Sequence, residues 1–523
     1  MNQNTSKVGV VGAGVMGRGI AQIMAQAGAT VMLHDAAPEA AARAVESLEQ
    51  TWQRLADKGK IDAAEVAACL SRVSAVASLQ SMAGCDVVIE AIVERLDVKQ
   101  ALFAALESVV TPTAVLATNT SSLSVTVIAA GCRHPARIAG LHFFNPVPLM
   151  RIVEIIGGAR TSSQTLDTLR ALVATTSHAG VLAQDTPGFL VNHAGRGYTT
   201  EALSLVQEGV AGFEVVDSIM REQIRFSTGG FRLGPFELLD LTGLDVSQPV
   251  MESIYRQFYE EPRFRPSVIG AQRAAAGLLG RKSAEGFYQY PAKGAVVPPA
   301  KPASVARPKS PAGDAIGNDG IPVHVVAQDH APGLASLVRR LGGRVVDTIE
   351  QTEDGGLVLI APLGEDASGF AAQRRLPAVR TVAIDTLFDP GESGCVRRSL
   401  MPTVATAKGT LQAAAALFGS DGTAVSLVRD STGFVAQRIV AMIVSIGTEI
   451  AQQRIARPAD IDLAVRTGLG YPLGPLAMGD EIGGGRILRI LQAMHASTGD
   501  PRYRPGGWLR RRAQLGLSLL TED

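Results

Sequence analysis

A glycine-rich turn near the amino terminus constrains the fold of this chain more than any other feature. Residues 8–11 (Val-Gly-Val-Val) form a short apolar run that predicts a buried strand, and residues 12–17 (Gly-Ala-Gly-Val-Met-Gly) follow it directly. Residues 18–27 have a helical pattern, and residues 30–34 predict a second strand that ends at Asp35. A strand, a glycine turn, a helix, a strand and an acidic residue in this order and spacing are typical of a dinucleotide-binding unit.

The three glycines and the acidic residue each have a physical role in such a unit. Gly12 permits the tight turn, Gly14 lets the backbone approach a pyrophosphate, and Gly17 allows the helix to pack closely on the strand. The start of the helix then offers free backbone N–H groups and a partial positive charge to the phosphates. Asp35 can accept hydrogen bonds from both ribose hydroxyls, and its charge repels a 2′-phosphate, so the sequence favours NAD over NADP.

The rest of the first half divides into stretches of different periodicity. Strand-like and helical stretches alternate up to about residue 185, which predicts a doubly wound parallel α/β sheet of the Rossmann type. Helical periodicity then dominates residues 186–290, and residues 291–320 are rich in Pro, Ala, Gly and Lys, which is typical of a linker. The further predicted strands are residues 86–90, 114–117 and 137–142, and the further predicted helices are residues 38–58, 62–70 and 96–109.

The second half repeats part of the first. Residues 185–192 (Asp-Thr-Pro-Gly-Phe-Leu-Val-Asn) return at 430–437 as Asp-Ser-Thr-Gly-Phe-Val-Ala-Gln, which predicts a duplicated helical domain. Residues 321–425 alternate strand and helix signals without a Gly-x-Gly-x-x-Gly turn, so they predict a shortened Rossmann-like domain that lacks a nucleotide site. The expected order is a Rossmann-type α/β domain (1–185), an all-α domain (186–290), a linker (291–320), a degenerate α/β segment (321–425) and a second all-α domain (426–523).

Three polar residues of the first domain stand where strands of an α/β sheet should end, namely Ser121, His142 and Glu154. Ligands of open α/β sheets bind outside the carboxyl ends of the strands. A His in that crevice can accept a hydroxyl proton, and a carboxylate at its other ring nitrogen would fix its tautomer. Each residue also has an ordinary structural interpretation, as part of a Ser-rich turn, a core His or a surface Glu, and the residues alone leave both interpretations open.

An ordered set of motifs closely resembles the 3-hydroxyacyl-CoA dehydrogenase family over residues 7–290. The motifs are the glycine turn with Asp35, Ala91-Ile-Val-Glu94 with Lys99, Asn119-Thr-Ser121-Ser, His142-Phe-Phe-Asn145-Pro with Glu154, the segment from Asp185 to Asn192, and Leu279-Gly-Arg-Lys282-Ser-Ala-Glu-Gly-Phe-Tyr288. The resemblance implies an NAD-dependent oxidoreductase that interconverts (S)-3-hydroxyacyl-CoA and 3-ketoacyl-CoA. The implied settings are fatty acid β-oxidation, butyrate metabolism and phenylacetate catabolism.

The same resemblance implies roles for individual residues. It makes His142 the general base, Glu154 the carboxylate that orients it, and Ser121 and Asn192 the groups that hydrogen-bond the reacting oxygen of the substrate. The implied cofactor contacts are Gly12, Gly14, Gly17, Asp35, Glu94, Lys99, Ser121, Asn145 and Lys282. The implied coenzyme A contacts are Lys58 and Thr51, and Thr51 stands where the family often has Ser.

The duplicated half is expected to lack an active site. Gln437 stands where the first copy has Asn192, and the sequence shows no counterpart of the His-Phe-Phe-Asn-Pro segment. Helical domains of dimeric relatives bury one another, so the resemblance implies that the duplicate serves packing. The second copy could do this within one chain, and a homo-oligomer is the alternative arrangement.

Composition limits the other function classes. The 49 Lys and Arg residues balance 49 Asp and Glu residues, which does not favour nucleic acid or a membrane surface as a partner. Four scattered cysteines without disulfide or zinc-ligand spacing favour a cytoplasmic protein with no metal site. Two alternatives remain. Another β-hydroxyacid dehydrogenase on this scaffold would need a Lys or Cys in residues 186–210, which have neither, and a crystallin-like, non-enzymatic relative is disfavoured by the intact site residues.

Overall fold

Two sheets, each packed with helices, carry the described part of the chain. The computed structural model describes residues 6–290 and 320–523, apart from residues 327, 328 and 354. The chain splits into two units, of which the first is Met1–His193 with Gln453–Leu469 and the second is Ala194–Gln452 with Gly470–Asp523. The predicted linker at 291–320 lies outside the described residues except for Gly320.

The first unit is built on an eight-stranded sheet with the order β3-β2-β1-β4-β5-β6-β7-β8. Its strands are β1 (Lys7–Val11), β2 (Thr30–His34), β3 (Val73–Ala75), β4 (Val87–Glu90), β5 (Val115–Thr118), β6 (Ile138–Phe143), β7 (Ile152–Gly157) and β8 (Ala179–Gln184). Its helices are α1 (Val15–Gln26), α2 (Ala40–Asp57), α3 (Ala63–Arg72), α4 (Leu96–Val109), α5 (Val125–Ala129), α6 (Ser163–Ala174), α7 (Val191–Ala194) and, later in the chain, α17 (Pro458–Leu469).

This strand order confirms the Rossmann-type prediction and corrects it at one edge of the sheet. β1 to β6 pair in parallel as predicted, but β7 runs antiparallel to β6. Only residues 144–151 connect these two strands, which is too short for the helical crossover that a parallel pair needs. The strands β3, β7 and β8 are not among those predicted from the sequence.

Burial explains why the central segments form strands. Every residue of β4, β5, β6 and β7 is buried, in agreement with the continuous apolar runs of a sheet that is covered on both faces. Three residues of these strands are titratable, namely Glu90, His142 and Glu154, and they are 0%, 4% and 0% exposed. Because a buried charged group is costly unless it has partners, these three positions need specific contacts.

The second unit contains a six-stranded sheet with the order β10-β9-β11-β12-β13-β14, in which β12 and β13 are antiparallel. Its strands are β9 (Pro322–Val325), β10 (Arg344–Val346), β11 (Leu357–Ile360), β12 (Thr381–Ile384), β13 (Arg397–Pro402) and β14 (Ala424–Leu427). Its helices are α8 (Arg196–Gln207), α9 (Phe213–Glu222), α10 (Pro235–Thr242), α11 (Leu244–Gln257), α12 (Val268–Ala275), α13 (Leu334–Arg340), α14 (Ala367–Gln373), α15 (Lys408–Phe418), α16 (Val435–Gln452), α18 (Pro475–Ile482), α19 (Gly484–Thr498) and α20 (Gly507–Leu515).

Within this second unit the two helical copies pack on each other through α8 and α16. A Cβ on Gly197 of α8 would lie 2.9 Å from the backbone nitrogen of Ile443 in α16, so glycine is what permits this close approach. Arg438 of α16 is buried and binds Glu201 at 2.7 Å and Glu208 at 2.6 Å. Residues 453–469, which the sequence analysis includes in the second helical domain, instead lie in the first unit, where α17 contacts β7 and β8.

Candidate active site

His142 and Glu154 face each other across the antiparallel pair β6–β7. They are register partners, and His142 Nδ1 lies 2.6 Å from Glu154 Oε2. With a carboxylate at Nδ1, that nitrogen carries the ring proton and Nε2 keeps a lone pair for an incoming proton. From the sequence, Glu154 is expected at the end of a strand. It is the third residue of β7, and the reversed direction of β7 is what brings it opposite His142.

The second oxygen of Glu154 holds the segment that leads into Asn192. Glu154 Oε1 accepts hydrogen bonds from the backbone N–H of Leu190 at 3.0 Å and of Val191 at 2.7 Å. Asn192 follows in α7 and is half-buried. One carboxylate therefore fixes both the imidazole of His142 and the backbone on which Asn192 stands.

Two aromatic rings enclose the imidazole of His142. The Phe144 ring lies 4.3 Å from it between centroids, and the Phe189 ring lies 5.9 Å away. Phe189 is 1% exposed and has a φ of 47°, a backbone conformation uncommon for a residue with a side chain. Apolar rings at these distances limit the access of water to the imidazole. Because the two rings offer no hydrogen-bonding group, the hydrogen bond to Glu154 sets the orientation of the imidazole.

Ser121 lies on the loop after β5, and the carboxylate of Glu94 accepts several hydrogen bonds from this loop. Glu94 Oε1 accepts from the hydroxyl of Thr120 at 2.6 Å and from the backbone N–H of Ser121 at 2.9 Å and of Ser122 at 3.1 Å. Burial by itself raises the pKa of Glu94, but the Thr120 hydroxyl, the Lys99 ammonium and the Ser121 N–H outweigh burial and lower that pKa below its ordinary value. Glu94 is therefore ionised at neutral pH, and its carboxylate accepts from donors of three consecutive residues of the loop, Thr120, Ser121 and Ser122.

Lys99 is enclosed by protein rather than presented at the surface. Its side chain is 1% exposed, and its ammonium lies 2.6 Å from Glu90 Oε1 and 3.2 Å from Glu94 Oε2.

Asn119 makes a contact that was not predicted from the sequence. Its Oδ1 accepts a hydrogen bond from the backbone N–H of Phe143 at 2.8 Å, which connects the end of β5 to the end of β6. The sequence signal for Glu90 was an acidic residue in an apolar strand, whereas the contact of Asn119 depends on strand pairing.

The glycine turn has the shape that a dinucleotide requires. A Cβ on Gly12 would collide with the carbonyl of Ala91, and a Cβ on Gly17 would collide with the carbonyl of Gly12, so both positions need glycine for packing. Gly14 is different, because no atom lies within 4 Å of the place that a Cβ would occupy. It is exposed at the start of α1, where the free space and the helix N–H groups fit a pyrophosphate.

Asp35 stands directly against the glycine turn. One carboxylate oxygen accepts from the backbone N–H of Ala13 at 2.7 Å, and the other accepts from that of Ala37 at 2.8 Å. The side chain remains partly exposed at the carboxyl end of β2. An acidic group at this place fits the ribose hydroxyls of NAD, so the residues present suit that cofactor.

The remaining predicted site residues are Asn145, Lys58, Thr51 and Lys282. Asn145 is exposed in the connection after β6, and Lys58 is exposed at the end of α2. Thr51 is half-buried in α2, and its described hydrogen bonds stay within that helix, so they do not join it to His142 or Ser121. Lys282 belongs to the second unit, where its ammonium lies 2.7 Å from Asp245.

The second sheet contains a counterpart of this site. Asp185 accepts from the first backbone N–H groups of α5, and Asp430 accepts from the first backbone N–H groups of α14 in the same way. In the first sheet the strand after α5 is β6, which pairs antiparallel with β7. In the second sheet the strand after α14 is β12, which pairs antiparallel with β13. The segment β5–α5–β6–β7 therefore corresponds to β11–α14–β12–β13.

This correspondence corrects the expectation that the His-Phe-Phe-Asn-Pro segment has no counterpart in the second half. The segment is present, but the side chains that correspond to the predicted site residues are replaced. The replacements are Leu363 for Ser121, Asp385 for His142, Ser399 for Glu154 and Gln437 for Asn192. Gln437 is 0% exposed, and its amide donates to Asp385 at 2.9 Å and accepts from the N–H of Gly364 at 2.8 Å. A buried hydrogen-bond network thus occupies the place of the imidazole.

No helix in the described part of the chain is long and apolar enough to span a membrane. The described residues also include no group of three or more His, Cys, Asp or Glu side chains arranged to hold a metal ion. The four cysteines are free thiols, and burial raises the pKa of Cys85 to about 11. That thiol is therefore protonated at neutral pH.

Family models match most of the chain. The model of the 3-hydroxyacyl-CoA dehydrogenase NAD binding domain matches residues 7–186. The model of the 3-hydroxyacyl-CoA dehydrogenase C-terminal domain matches twice, at residues 188–290 and 433–519. The double match agrees with the repeat in the sequence and with the two helical copies of the second unit.

Relatives of known name are similar over the whole chain or over its first half. The 3-hydroxyadipyl-CoA dehydrogenase of Escherichia coli K12 is 35% identical over 98% of this chain and 98% of its own length. A probable 3-hydroxybutyryl-CoA dehydrogenase of Deinococcus radiodurans is 40% identical over 54% of this chain and 100% of its own length. The crystal structure of a 3-hydroxybutyryl-CoA dehydrogenase from Escherichia coli K12 covers 98% of this chain and 99% of its own, with 34% identity and a TM-score of 0.81. The chain therefore belongs to the 3-hydroxyacyl-CoA dehydrogenase family, whose members are NAD-dependent oxidoreductases that act on a CH–OH group.

Proposed function

We propose that His142 is the general base with which this chain oxidises an (S)-3-hydroxyacyl-CoA to a 3-ketoacyl-CoA, and the general acid of the reverse reduction. The observation that carries the proposal is the buried carboxylate of Glu154, which binds His142 Nδ1 with one oxygen and the backbone before Asn192 with the other. This arrangement leaves Nε2 to accept a proton and stabilises the positive charge that then develops on the ring.

The proposed reaction moves one proton through the protein. In the oxidation, the 3-hydroxyl proton passes to His142 Nε2 while the C3–H bond of the substrate breaks. NAD, when bound, supplies the acceptor for the electron pair of that bond. The hydroxyl of Ser121 and the amide of Asn192 donate hydrogen bonds to the substrate oxygen, on which negative charge develops before the carbonyl forms. In the reduction, the protonated imidazole returns the proton to this oxygen.

The NAD site is proposed at the glycine turn and the loops beside it. Gly14 and the start of α1 would hold the pyrophosphate, and Asp35 would accept from the ribose hydroxyls. Lys99 is enclosed, so we infer that it supports the cofactor site through Glu94 rather than by direct contact. The further proposed contacts of NAD are Ser121, Asn145 and Lys282, and the proposed contacts of coenzyme A are the exposed Lys58 and the half-buried Thr51.

A short acyl chain is proposed for the substrate. Two full-length matches, both from Escherichia coli K12, carry the names of a six-carbon dicarboxylic acyl group, adipyl, and of a four-carbon group, butyryl. We therefore propose 3-hydroxyadipyl-CoA and 3-hydroxybutyryl-CoA as the substrates. Steady-state kcat/KM on a panel of C4, C6-dicarboxylic and C16 3-hydroxyacyl-CoA esters with NAD decides between them. Preference for the C16 ester would contradict this assignment.

Replacement of His142 by Gln tests the general base. His142→Gln should lower kcat for acetoacetyl-CoA reduction by roughly 10²- to 10⁴-fold, because proton transfer loses its donor. The Kd of NADH, measured by fluorescence titration, should change little, since the glycine turn is untouched. Near-wild-type turnover in this variant would exclude His142 as the acid–base group.

We further infer that the second helical copy is the packing partner of the first, in a cytoplasmic enzyme whose domains follow the expected boundaries except at residues 453–469. The buried pairs of Arg438 with Glu201 and Glu208 support this inference. Ending the chain at about residue 295 should uncover α8 and produce a fragment that self-associates. Size-exclusion chromatography with light scattering measures this, and a monomeric, fully active fragment would overturn the inference.

A further inference from the structure

A buried chain of charged side chains leads from β4 to the loop that carries Ser121. Glu90, the last residue of β4, accepts from the hydroxyl of Thr118 at 2.7 Å with one oxygen and lies 2.6 Å from Lys99 Nζ with the other. The same ammonium lies 3.2 Å from Glu94 Oε2, and Glu94 Oε1 accepts from the N–H of Ser121. A continuous path of ion pairs and hydrogen bonds therefore joins the interior of the sheet to Ser121.

Burial explains what Glu90 contributes to this path. Lys99 is 1% exposed and Glu90 is 0% exposed, whereas the Glu94 side chain is 35% exposed. A buried ammonium needs close carboxylate partners, and removal of one partner leaves a charge without full compensation. Glu90, at the end of β4, binds the Lys99 ammonium and keeps it in place. The ammonium can then bind Glu94, whose other oxygen binds the Ser121 loop.

We propose that Glu90 is a positioning residue for the dehydrogenase reaction. It fixes Lys99, Lys99 fixes Glu94, and Glu94 fixes the backbone of the loop at Ser121 and Ser122. The consequence for catalysis rests on the role proposed above for Ser121. Glu90 acts through other residues, because its carboxylate is fully enclosed by protein.

The second sheet provides an internal comparison for this proposal. Asp185 caps α5 in the first half and Asp430 caps α14 in the second, so this carboxylate is retained in both halves, as expected for a group that the fold requires. The position of Thr118 is taken by Ile360 and that of Ser121 by Leu363, so the polar partners give way to apolar side chains where the reactive Ser is gone. The polar side chains at these two positions of the path thus accompany the chemistry proposed for the first half rather than the fold that both halves share.

Three variants and one matched control separate positioning from folding. Glu90→Gln keeps the shape of the side chain and removes its charge, Lys99→Met removes the ammonium, and the double variant removes both. The control is Glu107→Gln in the same domain. Glu107 is also a buried carboxylate, which accepts from two backbone N–H groups and pairs with Arg137, away from the Ser121 loop.

The first measurement is hydrogen–deuterium exchange of the backbone N–H groups of Ser121 and Ser122 in the full-length protein. We expect faster exchange of these groups in Glu90→Gln and in the double variant, and wild-type exchange in Glu107→Gln. The second measurement is kcat/KM for acetoacetyl-CoA with NADH, which should fall by about 10- to 100-fold in the same two variants because Ser121 loses its exact placement. The control should keep its kcat/KM even where its Tm falls.

The double variant decides between positioning and stability. Its Tm should exceed that of Lys99→Met, because no buried charge is left without a partner, while its kcat/KM should stay low. Wild-type exchange and wild-type kcat/KM in the double variant would overturn the proposal. Full turnover in Ser121→Ala would instead contradict the proposed role of Ser121, and the exchange of the loop would still decide whether Glu90 fixes it.

Discussion

Replacing Glu154 by Gln tests the centre of the active site, because the structure dictates how the new amide must lie. Glu154 Oε1 receives two backbone N–H groups, from Leu190 and Val191, so the oxygen of Gln must remain there. The NH₂ group then points at His142 Nδ1, which lies 2.6 Å from the present Oε2. Two donors cannot face each other at this distance, so the ring proton moves to Nε2.

The expected magnitude follows from this change of tautomer. An imidazole with its proton on Nε2 cannot accept the hydroxyl proton of the substrate at that atom, and the ring also loses the carboxylate that stabilises its positive charge. We expect kcat to fall by roughly 10³- to 10⁴-fold, which corresponds to about 4–5.5 kcal/mol in the activation barrier. The opposite amide orientation places NH₂ against two N–H groups and costs about 1–3 kcal/mol of stability instead.

The assay is steady-state oxidation of (S)-3-hydroxybutyryl-CoA by NAD, with thermal unfolding followed by circular dichroism on the same samples. Asp385→Asn is the matched control, since Asp385 is a buried carboxylate at the corresponding place in the second sheet and binds Gln223 and Gln437. The control should lose Tm and keep kcat. A Glu154→Gln enzyme that turns over as fast as the wild type would refute the reasoning.

Three further predictions concern the cofactor, the second half and pH. Asp35→Ser should weaken NAD and improve NADP in steady-state kinetics, because the charge that repels a 2′-phosphate is gone; a wild type that already prefers NADPH would contradict this role of Asp35. Gln437→Ala should lower Tm, because three buried hydrogen bonds are lost, and leave kcat unchanged; a large loss of kcat would assign catalysis to the second half. Burial, with a further contribution from the charge of Glu237, raises the pKa of Asp217 to about 7. The stability that Asp217 contributes is therefore present below its ordinary pKa of 3.8 and is lost as the pH rises through about 7. Urea unfolding from about pH 4 to 8 should show a decline of up to roughly 4 kcal/mol in the wild type that Asp217→Asn lacks, and equal slopes would refute it.

Most elements of the first unit were predictable because their signals are local. Helix α4 spans Leu96–Val109 and β2 spans Thr30–His34, as predicted from periodicity and apolar runs. β7 was missed although all its residues are buried, because an apolar run of six residues that contains a Glu does not distinguish a strand from a turn or a helix. The direction of β7 depends on the length of the connection after β6 and on packing at the edge of the sheet.

The residues of the candidate site were predictable from the sequence, but only some of the contacts among them were. His142 and Glu154 were expected to interact, and the structure pairs them. The second oxygen of Glu154, the tie from Asn119 to Phe143 and the enclosure of Lys99 between two carboxylates were not expected. Each of these contacts joins residues that are distant along the chain, so no local pattern could reveal it.

The amino-acid sequence by itself determined the nucleotide turn, the acidic residue after the second strand, the duplication and the order of the family motifs. These properties depend on residue type and near-neighbour spacing, which control backbone conformation and periodicity. The tertiary structure alone decided that β7 runs opposite to β6, that one carboxylate of Glu154 serves both His142 and the Asn192 segment, and that Asp385 takes the place of an imidazole in the second sheet. Strand direction and register set which side chains meet, and both follow from packing of the whole sheet, because a shift of one residue would turn every side chain of a strand to the other face.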